Sequence, residues 1–339
     1  MADHYTLFTA EDRDRFLSPR EGETKVGEEM VYLPHWGAVR EHPQVKYVLL
    51  GVPESVGPQA NHGRPGSERG WEAFLGKFLN MQSNRYLPAR QVAVAGAVHT
   101  ADLQQQVDPA DTRPERFAEW RELVTQLDAR VAQAVADLDL PPDVTLIVIG
   151  GGHNNVYPIL KGLGQPTWVV NVDPHADFRA LEGRHSGNGF RYAREEGLLE
   201  GYVPVALHKA YNSENMIAAM QADRSVHPQW WDDAPDVPTM LEHAHRVLAA
   251  GGARQVGLEM DVDVIAQMPV SAYTPEGLTP GQARAWMREW VKVVPATRYV
   301  HLPEAAPQSP REMDFAGKLL AYLVSDFIMS SQLVRQKNR

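Results

Sequence analysis

The chain has 339 residues, 43% apolar and 22% charged, enough to build a sizeable core in one large α/β domain or two modest ones. Its formal net charge of −10 argues against nucleic acid or an anionic membrane as a partner. It has no cysteine, which excludes disulfides, thiolate catalysis, Cys-ligated zinc and iron–sulfur clusters and leaves any metal to His, carboxylates, carbonyls or water.

Met1–Glu11 is polar and mixed in charge, unlike a signal peptide. No stretch approaches the roughly 20 apolar residues that span a bilayer, so the cytoplasm is the expected compartment. Met1–Val39 reads as an N-terminal extension, and 40–339 as a single domain without an internal linker or repeat. The first strand is expected at Val45–Val52, followed by a long loop rich in Gly and Pro over Gly51–Gly70 and a helix over Glu68–Met81. A strand at Gln91–Ala97 precedes the clearest helix, Pro114–Leu138. Its apolar residues Phe117, Trp120, Val124, Leu127, Val131, Val135 and Leu138 follow a three-and-four spacing. Strands follow at Val144–Gly150, Thr167–Asp173 and Val203–Leu207, then a helix at Val237–Ala249 and a strand at Gln255–Met260. Thr279-Pro280 opens a helix to Val293, and a strand at Arg298–Leu302 and a helix at Met313–Leu333 complete the order. The strands are rich in Val, Ile and Leu and show little polar alternation, as strands buried on both faces do. Strands alternating with helices predict an α/β three-layer sandwich, a mainly parallel central sheet with helices on both faces.

Three short clusters sit at predicted strand ends: Gly150-Gly151-Gly152-His153, Asp173-Pro174-His175-Ala176-Asp177 and Glu259-Met260-Asp261-Val262-Asp263. In a doubly wound sheet the carboxyl ends of the strands share one rim, so distant clusters can converge there. Four carboxylates and two imidazoles suit a pair of borderline-hard divalent ions such as Mn2+. Four acids packed without metal would repel, and some would stay protonated. Taken singly, a His at a strand end or an Asp-x-Asp is usually a loop feature; the conjunction of three clusters carries the inference.

The order Gly-Gly-x-His, Asp-x-His-x-Asp, x-x-Asp-x-Asp resembles the ureohydrolase superfamily of arginases, agmatinases and formimidoylglutamases. Gly51-Val52-Pro53-Glu54-Ser55-Val56-Gly57 looks like that family's Gly-Val-Pro-x-Asp-x-Gly. The resemblance implies an arginase-like fold, a homo-oligomer and two divalent ions, Mn2+ first, with Ni2+ or Fe2+ as alternatives. His153, Asp173, Asp177 and Asp261 would serve one ion, and Asp173, His175, Asp261 and Asp263 the other. Glu304 falls where the family grips an amidine or guanidinium, and Asp177 would move a proton to the leaving amine. Departures are Gly152 in place of Asp, Pro174 in place of Ala, Glu259 in place of Ser, and Gln267-Met268-Pro269 where the family has Asp-Pro.

Arg184-His185-Ser186-Gly187-Asn188-Gly189-Phe190-Arg191 is closer to the Ser-Gly-Thr-Pro-Phe-Arg segment of formimidoylglutamases than to the His-Gly of arginases. His185 is therefore a candidate proton carrier, and Asn188 and Arg191 are candidates for substrate binding, Arg191 to a carboxylate. The expected reaction is metal-assisted hydrolysis of a C–N bond in an amidine or guanidine, with N-formimidoylglutamate giving glutamate and formamide. Arginine, agmatine or another guanidino compound is the alternative substrate. A noncatalytic subunit would have lost ligands, and none of the six positions is lost here.

Overall fold

The computed structural model describes residues 4–111, 113–294 and 296–337. Nine strands form one sheet among these residues: β1 Tyr5–Leu7, β2 Val31–Tyr32, β3 Tyr47–Gly51, β4 Val92–Val98, β5 Thr145–Ile149, β6 Thr167–Val172, β7 Leu199–Val205, β8 Val256–Met260 and β9 Thr297–Leu302. Their order is β1-β4-β3-β5-β9-β8-β6-β7, with β2 also pairing with β4. All the pairings are parallel except β1 with β4. The seven expected strands are present, each within a few residues of its expected bounds.

Period-two alternation sends each central strand into two cores. In β5, Leu146 and Val148 face one, and Ile147 and Ile149 the other. The first core is covered by the Arg116–Asp137 and Val156–Leu163 helices, the second by Gly70–Phe78, Val237–Gly251, Pro280–Val293 and Pro310–Lys337. The sandwich has three layers, as its apolar strands require. Thr279 caps the Pro280 helix as expected: its hydroxyl accepts from Gln282 N, and the Gln282 side chain accepts from Thr279 N.

Two expectations need correction. The Gly51–Gly70 loop contains a fully buried helix at Val56–Ala60 and a 3-10 turn at Ser67–Arg69. Five residues are too few to show a helical period in sequence. The segment 4–39 adds β1 and β2 beside β4 and buries Phe8, Val26, Met30, Leu33, Ala38 and Val39. Its mixture of short strands, turns and single buried apolar residues carries no long periodicity, which is why it read as an appendage.

Candidate metal centre

β5, β9, β8 and β6 are neighbours at the middle of the sheet, and their carboxyl ends open on the same rim. β5 delivers His153, β6 delivers Asp173, His175 and Asp177, β8 delivers Asp261 and Asp263, and β9 delivers Glu304. Beyond β5 the chain must turn sharply between packed neighbours. Gly150 and Gly151 do this with φ of +85° and +73°, and a Cβ on Gly151 would fall 2.8 Å from the Val52 carbonyl oxygen. The 3-10 turn His153–Asn155 then aims the His153 ring inward, fully buried.

His153 Nδ1 lies 3.1 Å from Asp173 Oδ2, 3.0 Å from Asp177 Oδ2 and 3.1 Å from Asp261 Oδ2, yet hydrogen-bonds none of them. His175 Nδ1 lies 3.1 Å from Asp263 Oδ2 and 3.4 Å from Asp173 Oδ1. The ligand atoms of His153, Asp173, Asp177 and Asp261 lie within 4.8 Å of one another, as do those of Asp173, His175 and Asp263, so Asp173 is common to both sets. Local bonds orient these carboxylates. Asp173 Oδ1 accepts from His175 N at 2.6 Å, and Asp261 Oδ1 accepts from Asp263 N at 2.9 Å. Oδ1 of Asp263 is buried with no partner. An unbonded imidazole nitrogen facing three carboxylate oxygens, with a further orphaned oxygen beside it, is a donor set that fits divalent cations.

The charges point the same way. Burial, with Asp263 and Asp173 close by, pushes Asp261 well above the usual carboxylate range. Burial pushes Asp263 up to about 6 although His175 pulls it down, with Asp173 adding to the rise. Burial opposes ionisation of Asp173 too, but His153 and His175 outweigh it and hold that carboxyl low. Without cations this cluster holds acids that cannot all ionise together; divalent ions remove that repulsion.

Glu304 enters the same cavity, of about 350 Å3, from the loop after β9. Its backbone takes a left-handed φ of +67°, its N–H donates to Gly151 O at 2.8 Å, and its Oε1 accepts from His153 N at 2.9 Å. These two bonds leave Oε2 available to a ligand.

The other candidates are placed elsewhere. All four hydrogen-bonding positions of Asn188 are occupied: Oδ1 accepts from Arg184 Nη1 and His185 N, and Nδ2 donates to the Gly183 and Ala180 carbonyls. Nothing remains for a substrate, so its role is to fold the loop. His185 is buried outside the cavity, with Nε2 against Glu182 and Nδ1 accepting from Gly187 N, so it is not positioned to shuttle a proton. Arg191 lies over the Phe178 ring, 5.1 Å from its centroid, and lines an adjoining cleft rather than the metal cavity.

Sequence reasoning missed Arg179, Tyr211 and Met216, which line both the metal cavity and the cleft of Arg191. Arg179 stands two residues beyond Asp177, a signal available in sequence. It also missed Glu54. This fully buried carboxylate accepts from Gly152 N at 2.6 Å, Asn155 Nδ2 at 2.7 Å and Gly57 N at 2.9 Å. A Cβ on Gly152 would fall 2.3 Å from Pro58 Cδ and 2.5 Å from Asn154 Oδ1, which is why no aspartate stands there. Glu54 supplies a carboxylate to that turn from another strand end instead.

Parallel strand ends bearing two His/Asp sets with a shared aspartate define a metal-dependent hydrolase. More particularly, residues 45–329 match the model described as Arginase family, and the chain belongs to that family. It is 29% identical over 269 residues to a formimidoylglutamase of Macrococcus caseolyticus, covering 77% of each chain. Its fold is similar to the crystal structure of formimidoylglutamase from Bacillus subtilis, with a TM-score of 0.71 at 17% identity, covering 96% of this chain and 99% of that one. It is also similar to Trypanosoma cruzi formiminoglutamase solved with Mn2+, with a TM-score of 0.65 at 21% identity, covering 90% and 99%. Among the described residues, no helix is long and apolar enough to cross a membrane.

Proposed function

We propose that this chain hydrolyses a C–N bond of a linear amidine, and that the substrate is N-formimidoylglutamate, giving glutamate and formamide. The observation that carries this reading is the convergence on one cavity of the two His/Asp sets, the Glu304 carboxylate and the Arg179 guanidinium. His153, Asp173, Asp177 and Asp261 would hold one ion, and Asp173, His175, Asp261 and Asp263 the other, with Mn2+ the expected metal. When bound, such a pair lowers the pKa of water enough for attack at neutral pH.

The protein side chains orient the substrate and move the proton. Glu304 lines the cavity with its Oε1 bonded to His153 N, and its carboxylate would pair with the amidinium, setting the planar carbon toward Asp177. Burial raises the Asp177 carboxyl, with Asp173 adding to it against the pull of His153, so Oδ2 can hold the proton taken from water and pass it to the leaving amine. Arg179 is partly exposed at the cavity wall, its guanidinium 3.2 Å from Glu182 and 3.4 Å from Asn61 Oδ1. It can turn to a substrate carboxylate, and Arg191 in the adjoining cleft offers a second cation to a dicarboxylate. A distal amine, as in agmatine, would meet like charge there.

The test is a steady-state comparison of N-formimidoylglutamate with agmatine, arginine, guanidinobutyrate and guanidine, using Mn2+-loaded protein and reading formamide, urea and ammonia. Preference for a guanidino compound would overturn the substrate and leave the hydrolase reading in place.

A further inference from the structure

Behind His153, on the side away from the carboxylates, lies a second buried polar group that the proposed reaction does not use. The β8–β9 register sets Glu259 directly opposite His301, and the alternation of those strands turns both side chains to the same face of the sheet, toward the His153 ring. Both are fully buried. Glu259 Oε2 lies 2.7 Å from His301 Nδ1 and 3.5 Å from His153 Nε2. His301 Nε2 lies 3.3 Å from the carbonyl of Gly150, in the turn that carries His153. Leu258 and Met260 on the same strand pack into the opposite core, so an apolar residue at 259 would follow the pattern of the sheet. A buried carboxylate in that position is costly unless it serves donors.

A histidine offers one lone pair to a cation only if its other nitrogen carries the proton. Glu259 Oε2 faces His153 Nε2 at 3.5 Å without hydrogen-bonding it in this structure, while Nδ1 faces Asp173, Asp177 and Asp261. We infer that Glu259 and His301 are a positioning pair: Glu259 holds the His153 proton on Nε2 and so presents Nδ1 to the ion, while His301 donates Nδ1–H to anchor Glu259 beneath the ring. His153, which Glu259 faces, belongs to the set with Asp173, Asp177 and Asp261 and not to the set of Asp173, His175 and Asp263. The pair therefore acts on one ion of the two. This rests on the reading of His153 as a ligand.

The experiment is titration of metal-free protein with Mn2+, with free ion read by electron paramagnetic resonance and with the melting temperature of each metal-free variant recorded. Wild type should take up two ions per chain; if it does not take up the His153 ion, the ligand reading fails and this inference with it. Given two ions in wild type, Glu259→Gln should weaken one class of site by about 10- to 100-fold, the scale of such supporting contacts around a metal-bound histidine, and leave the other within a few-fold. His301→Gln keeps the Glu259 charge but removes its anchor, and should weaken the same class. A merely structural pair would instead lower the metal-free melting temperature and both affinities together. That result, or two unchanged affinities in Glu259→Gln, overturns the assignment. If Glu259→Gln does not fold, His301→Gln decides by the same criterion.

Discussion

Glu304 shows what a single residue can reveal in a sequence. The family resemblance singles it out in Leu302-Pro303-Glu304, and in the structure it lines the metal cavity from the loop after the last strand. Its hydrogen bond to the metal sets is made to the His153 backbone amide, so Glu304→Gln should leave two Mn2+ per chain while raising KM for the amidine at least tenfold. Loss of metal together with activity would place Glu304 among the supports of the ions instead. Arg179→Ala should raise KM for a dicarboxylate substrate and change kcat little, since a group that binds ground state and transition state alike contributes uniform binding. An unchanged KM would remove Arg179 from the substrate site. Gly152 makes the opposite point. Restoring the family's aspartate there drives a Cβ into Pro58 and Asn154, so Gly152→Asp should destabilise the fold by about 1–3 kcal/mol, the usual cost of overpacking, visible as a lower midpoint of denaturation. A variant as stable as wild type would show that the turn has room the structure denies it.

At the scale of elements, the segment Arg184–Arg191 offers His185, Asn188 and Arg191 as sequence candidates for proton transfer and substrate binding, and the structure engages the side chains of His185 and Asn188 within the loop itself. Arg184 reaches from the loop to Asp128 of the Arg116–Asp137 helix, with Nε 2.8 Å from Oδ2, and also holds the Asn154 carbonyl. Asn188 closes the loop from within, and His185 fills it. The Arg184 bonds depend on three-dimensional partners 30 and 56 residues away, so the Ser-Gly-x-x-Phe-Arg pattern alone could not separate a binding loop from a self-supporting one. Burial, with Arg121 adding to it, depresses the His185 imidazole from 6.5 to about 4 against the pull of Glu182. Its contribution to stability is then complete above about pH 6.5. As pH falls from there toward about 4, the unfolded chain takes the proton first and that stability is lost. At about 1.4 kcal/mol per pKa unit the loss is on the order of 2–3 kcal/mol. Denaturation curves from pH 7.5 to 4.5 should therefore fall less steeply for His185→Gln than for wild type, by an amount of that order. Parallel curves would mean that the ring is not held neutral.

At the scale of the molecule, the segment 4–39 reads in sequence as an extension, yet β1 and β2 flank β4, and Phe8, Val26 and Met30 lie in the same core as the Gly70–Phe78 helix. Deleting residues 1–39 should expose that apolar surface and leave β4 as an open edge, giving aggregation or loss of cooperative unfolding by circular dichroism. A truncated protein that melts like the full chain would make the segment an appendage after all.

What the sequence determined by itself was whatever local chemistry dictates. Buried strands declare themselves as apolar runs, long helices as a three-and-four period, the Thr279 cap as Thr-Pro, and the six candidate ligands as carboxylates and imidazoles placed just past strand ends. Tertiary structure alone decided which of the remaining polar residues face the cavity. Asn188 and Glu54 are both polar residues near glycines, but the folding of its own loop saturates Asn188, while packing of distant elements brings Glu54 across to the His153 turn. Likewise Glu259 and His301 are 42 residues apart and meet only because the β8–β9 register pairs them. A side chain's hydrogen-bonding capacity is a local property, but the partners that use it up are brought to it by the fold, from its own loop for Asn188 and from distant strand ends for Glu54, and only that folding settles what is left for a ligand.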